Sequence, residues 1–136
     1  TGRPFCGRAG KVLDELLLSV GIARKDVYVT NIVKDRPPGN RDPFPDEIEI
    51  YASFLDRQIE VIKPKAVATL GRFSMQYVMS RYGLEWELDS ISKLHGKVFD
   101  TKAFKFVPLY HPAAAIYNQH LLDTLKEDFQ ILKTVV

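Results

Sequence analysis

"AVATLGRFSMQYVMSRY", residues 66–82, decides the fold class. Its first five residues are short and apolar and read as a strand with both faces covered. Gly71 turns the chain, and Arg72 to about Tyr82 reads as a helix. A strand that hands over to a helix through one glycine is the repeating step of an α/β protein.

The same step recurs on both sides of it. Upstream, "AGKVLDELLLSV" (9–20) places Leu13, Leu16, Leu17 and Val20 at helical spacing, and Gly21 closes the helix. Val27 to Val33 is rich in β-branched residues and too short for a helix, so it reads as a buried strand. A loop with four prolines follows, Arg36 to Pro45. Pro45-Asp46-Glu47 then opens a helix, with proline and acids where a first turn favours them. Ile48, Tyr51, Leu55, Ile59 and Ile62 make its apolar face, and Pro64 ends it. Downstream, residues 83–104 read as a loop, a short helical turn near Ser90, and a strand or hairpin from Lys97 to Phe104. Lys105 to Tyr110 is a strand that runs into His111-Pro112. A last helix, about Gln119 to Lys133, turns Leu122, Leu125, Phe129 and Leu132 inward. The alternation predicts one α/β domain over residues 1–136, with a mainly parallel sheet between helical layers.

The bulk composition fits a globular chain. Hydrophobic residues make up 46% and charged residues 26%, and the net charge is +2, so any basic surface must arise from local clustering. The single cysteine, Cys6, excludes an internal disulfide and fits a reducing, intracellular (cytoplasmic) setting. No apolar run approaches the ~18 residues that a membrane span needs.

In such sheets ligands bind outside the carboxyl ends of the strands. Asn31 lies late in the strand read at Val27–Val33, a polar amide in an apolar run. His111 lies at the end of the last strand, in "YHPAAAIYN". Gly7 and Gly10 of "FCGRAG" precede a helix, where backbone N–H groups can meet an anion. Each has a plainer reading: a turn residue, a strand-end His-Pro, a tight turn. Their coincidence at one crevice favours function.

Together "TGRPFCGRAGKVLDELL", "VYVTNIVKDRPPGNRDPFPDEI", "LDRQIEVIKPKAVATLGR", "ISKLHGK" and "YHPAAAIYN" resemble the uracil-DNA glycosylase superfamily, most closely its family 4, thermophile-type enzymes. The resemblance implies a three-layer α/β/α fold around a central, mainly parallel four-stranded sheet, whose first strand is expected to be missing from this chain. It also implies hydrolysis of the bond between uracil and deoxyribose after the base flips out of the stack. Phe5 matches the family's stacking aromatic, Asn31 its base-reading amide and His111 the histidine beside uracil O2, the catalytic residue expected here. An amide can pair with uracil N3–H and O4, whereas cytosine presents the reverse pattern. A donor aimed at O2 strengthens as charge develops on the leaving base. Arg36 and Arg41 in the proline loop, Lys93 and Gly96 in "KLHGK", and Ile116 and Tyr117 after His111 match DNA-facing positions. His95 and His120 match no catalytic position.

Two departures stand beside the match. The family's Gly-Glu-Ala/Gly-Pro-Gly motif belongs just before "TGRPF", so the water-positioning group and the wall that excludes thymine are expected upstream of Thr1. Family members commonly carry a four-cysteine iron–sulfur cluster. Two of its cysteines would fall at Asp35 and Tyr51, so no cluster is expected. The expectation is therefore a DNA-repair glycosylase acting on uracil-containing DNA without cofactor, its oligomeric state left open with a monomer favoured. The rivals are a non-catalytic base-binding remnant and a nucleotide-binding module built on Gly7 and Gly10.

Overall fold

The computed structural model describes residues 7–22, 27 and 45–135, with side chains described outside 45–52. The chain divides into two compact units, Thr1–Tyr28 with Lys65–Val136, and Val29–Pro64. In the second unit the described element is helix α2, Pro45–Ile62, with proline at its first position as the sequence predicts. Lys63 leaves the helix with a left-handed φ of 51°, its N–H bonded to the Ile59 carbonyl at 2.9 Å.

The first unit carries helix α1 (Arg8–Ser19), strand β1 (Ala66–Leu70), helix α3 (Arg72–Arg81), a 3-10 turn (Glu85–Glu87), the short helix α4 (Ile91–Leu94), strands β2 (Phe99–Asp100) and β3 (Lys105–Leu109), a second 3-10 turn (Pro112–Ala115), and helix α5 (Gln119–Val135). Among the described residues the sheet has three strands in the order β1-β3-β2. β1 and β3 are parallel, from Ala66 opposite Lys105 to Leu70 opposite Leu109. β2 runs antiparallel to β3, with Phe99 opposite Phe106. That hairpin closes on Thr101, whose hydroxyl accepts from the Phe104 N–H at 2.9 Å.

β3 is the centre of this unit: Phe106, Val107, Pro108 and Leu109 are all buried. A proline is tolerated in a central strand here because β2 has already ended, its last pairings lying at Lys105 and Phe106. α1 supplies Leu13, Leu16, Leu17 and Val20 to the core, α3 supplies Met75, Val78 and Met79, and α5 supplies Leu125, Phe129 and Leu132. The predicted apolar faces of α1 and α5 are therefore buried, with Leu122 only half-buried.

The sheet differs from the sequence reading in its mix. Its parallel pair is as expected, but the third described strand is antiparallel, the hairpin read at Lys97–Phe104. β1 is half-covered and not fully buried, since Ala68 is exposed. Of the strand read at Val27–Val33, Val27 sits in a bend and residues 28–33 lie outside the described residues.

Candidate active site

The carboxyl ends of β1 and β3 are joined directly. Gly71, the residue after β1, donates its N–H to the Leu109 carbonyl at 2.8 Å. Two residues beyond the end of β3 the chain reaches His111, and Pro112 starts a 3-10 turn at the position where proline is preorganised. His111 caps that turn with its own side chain: Nδ1 accepts from the Ala113 N–H at 3.0 Å. A ring nitrogen that accepts carries no hydrogen, so this contact matches the tautomer with its hydrogen on Nε2. One hydrogen bond thus fixes the ring's tautomer and restrains its orientation.

The ring lies close to bare backbone. A methyl group on Gly71 would stand 3.4 Å from His111 Cβ and 3.7 Å from Cδ2. Gly71 has φ 91° and ψ 173°, a conformation essentially reserved for glycine. Ser74, in the first turn of α3, returns its hydroxyl to the Leu70 carbonyl at 3.0 Å, tightening the strand-to-helix turn.

Beside His111 lies the "KLHGK" segment. The His95 ring is 4.7 Å from the Tyr110 ring, tilted by 34°. The Gly96 N–H donates to the Pro108 carbonyl at 2.8 Å. His95 Nδ1 meets Asp128 Oδ2 of α5 at 2.7 Å. Burial pushes the Asp128 carboxyl above its ordinary range; the hydrogen bond and the charge of His95 oppose that shift, and Glu127 adds to it. Lys93 is exposed, with Asp89 at 3.8 Å one helical turn before it.

On the other flank, Ile116 is half-buried at the end of the 3-10 turn and Tyr117 is 85% exposed. The Arg8 guanidinium, in the first turn of α1, donates to the Tyr117 hydroxyl and lies 5.8 Å from the ring centroid. Asn118 caps α5, its Oδ1 accepting from the Leu121 N–H at 3.1 Å.

Of the residues singled out from sequence, His111, Lys93, Gly96, Ile116 and Tyr117 therefore lie on two segments joined through Tyr110. Phe5, Asn31, Arg36 and Arg41 lie outside the described residues. His120 is exposed, as expected. Gly7 is the N-cap of α1 and Gly10 lies buried within it, so the two do not form a turn of their own. Sequence reasoning missed Gly71, Tyr110 and Asp128. "TLGR" signalled the first, and a carboxylate on the Leu125–Phe129–Leu132 face signalled the last.

Among the described residues no group of three or more His, Cys, Asp or Glu is placed to hold a metal ion. A cluster of four thiolates does not fit this chain, which supplies Cys6 alone. No helix among the described residues is long and apolar enough to cross a membrane.

A parallel strand pair with a helix after its first strand and a backbone-capped histidine after its second is the pattern of an α/β protein, in which ligands are met at the carboxyl ends of the strands. The family model described as "Uracil DNA glycosylase superfamily" matches residues 1–133, and the chain belongs to that superfamily. Within it, the chain is 44% identical over 133 residues to a type-4 uracil-DNA glycosylase of Archaeoglobus fulgidus, covering 95% of this chain and 66% of that protein. It is 45% identical over 137 residues to the type-4 enzyme of Sulfurisphaera tokodaii, covering 97% and 61%. Against the type-4 enzyme of Thermotoga maritima it is 38% identical, covering 100% and 70%. The chain thus spans just under two thirds of the length of the first two relatives.

Proposed function

We propose that the protein carrying this chain is a DNA-repair glycosylase that hydrolyses the N-glycosidic bond of uracil in DNA. The observation that carries the reading is the His111 arrangement at the end of β3: Nδ1 is occupied by a backbone N–H, which leaves Nε2–H as the ring's donor. The likeness to type-4 enzymes supports it.

In the reaction the C1′–N1 bond breaks, its electron pair leaves with uracil, a water oxygen bonds to C1′, and the proton that water loses balances the uracil anion, giving neutral uracil and a C1′ hydroxyl. Negative charge gathers on uracil O2. A neutral imidazole that donates there stabilises the departing anion without first giving up a proton. Phe5 is assigned to stack on the flipped base and Asn31 to pair with its N3–H and O4. Arg36, Arg41, Lys93, Gly96, Ile116 and Tyr117 are assigned to the DNA surface, Ile116 or Tyr117 filling the place the base vacates. In this reading the enzyme works without an iron–sulfur cluster, since the chain supplies Cys6 as its one thiol.

The test uses protein made from the whole natural reading frame and a labelled single-stranded oligonucleotide with one uracil. Release of free uracil, leaving an alkali-labile abasic site, is the expected result. Binding without release on any uracil substrate overturns the reading and leaves a base-binding remnant.

A further inference from the structure

Asp128 occupies a core position of α5. It falls on the face that buries Leu125, Phe129 and Leu132, and it is 5% exposed. A carboxylate at such a place is retained when it has specific partners. Its Oδ2 has His95 Nδ1 at 2.7 Å. Its Oδ1 occupies the space beside Gly96, where a methyl group would come within 2.2 Å of that oxygen and 2.8 Å of Cγ. Gly96 also has a φ of 76°, so both the backbone and the carboxylate require glycine there.

The segment is held on two further sides. The Gly96 N–H bonds to the Pro108 carbonyl of β3, and the His95 ring packs on Tyr110, the residue before His111. Exposed Lys93 and Lys97 flank this anchored turn. A cation on a free loop meets a phosphate only after the loop is ordered; one on a fixed turn has met that cost beforehand.

We infer that Asp128 is a positioning residue: through His95 it holds the Lys93–Lys97 segment in the conformation that meets the DNA backbone beside His111. The inference rests on the glycosylase reading for its DNA partner. It makes the last helix part of the binding machinery.

Asp128→Ala and Asp128→Asn separate positioning from simple stability, each compared with wild type in full-length protein at a temperature where all three are folded. The asparagine keeps an acceptor for the His95 Nδ1–H and is close to isosteric with the aspartate, so it is the rescue variant. Amide exchange at Gly96 should quicken by about tenfold or more in Asp128→Ala and stay near wild type in Asp128→Asn. The Kd for a uracil-containing single strand should rise about tenfold in Asp128→Ala, while single-turnover excision at saturating DNA stays within about threefold. Asp128→Asn should keep both. A lowered Tm with unchanged Gly96 exchange and unchanged Kd overturns the inference, as does an asparagine variant as defective as the alanine. A wild type that binds no DNA also overturns it. If wild type binds DNA but excises no uracil, the glycosylase reading fails alone, because exchange and affinity need no turnover and still decide for or against the anchor.

Discussion

Gly71 faces His111 across the carboxyl ends of β1 and β3: a methyl group on Gly71 would stand 3.4 Å from His111 Cβ, in van der Waals contact. Two constraints meet at this glycine, its φ of 91° and the neighbouring ring. Gly71→Ala should therefore lose about 1–3 kcal/mol of stability from backbone strain. It should also slow uracil excision, because relief of the strained φ shifts the Gly71–Leu109 hydrogen bond that joins the two strand ends beside His111. Gly83 is the control: its φ is 83°, but nothing lies within 4 Å of a methyl group there. Denaturant unfolding of both variants should show similar losses, and single-turnover excision should separate them. Equal excision rates would mean that the Gly71 contact does not set the ring.

The parts legible in sequence were those written in local periodicity. β1, α3 and the buried faces of α1 and α5 follow from apolar spacing, helped in β1, α3 and α1 by the glycine that ends each run. The 3-10 turn at Pro112–Ala115 escaped because its cap is a histidine side chain, outside the usual Ser, Thr, Asp and Asn set. The His95–Asp128 contact escaped for another reason. Its partners are 33 residues apart, and an acid beside Glu127 in a helix reads first as solvated surface. Phe5 was found only through the resemblance, since a lone phenylalanine carries no spacing signal, whereas Asn31 stood out as an amide in an apolar run and took its base-reading role from the resemblance.

Asp128 should make stability depend on pH with a definite sign. Its carboxyl is raised above the usual 3.8, mainly by burial, so between that value and its folded one the native state binds more proton than the unfolded chain. Stability contributed by this group is thus greatest in acid and falls as pH rises through that window. Asp128→Asn removes the buried charge and keeps an acceptor. Urea unfolding of both proteins from about pH 3.5 to about pH 7 should show the asparagine variant gaining on wild type as pH rises. The opposite trend would show that the pairing with His95 outweighs burial.

The purified protein should hold no four-thiolate iron–sulfur cluster. Asp35 and Tyr51 stand where the resemblance puts two of its cysteines, and neither side chain is a thiolate. Anaerobic purification followed by iron analysis and a visible spectrum settles the matter. Stoichiometric iron with a broad band near ~400 nm would contradict the expectation.

Asn31 should carry base choice. The amide both donates and accepts, while the carboxylate of Asn31→Asp only accepts when ionised. The variant should lose uracil excision by the equivalent of about 1–3 kcal/mol for the buried group left unpaired, and its discrimination against cytosine should narrow. Competing excision from strands carrying either base is the measurement. An unchanged rate and an unchanged preference would remove Asn31 from base reading.

His111 should act on the bond-breaking step more than on DNA binding. In the bound substrate the charge on uracil O2 is small, and it becomes large as the glycosidic bond stretches. A donor aimed there gains strength mainly in the transition state. The capped Nδ1 matters to this argument, since it leaves the hydrogen on Nε2 and spares the enzyme any choice between tautomers. Removing one such donor typically costs about 10²–10³ in rate. Affinity rests mostly on phosphate contacts elsewhere, so it should change little. His111→Ala, followed by single-turnover excision and a separate binding titration, gives the two numbers. His111→Asn adds a second check: its amide can donate toward O2, so it should recover part of the lost rate without changing affinity. If excision falls only as far as binding does in the alanine variant, His111 positions the base and does not stabilise the leaving anion.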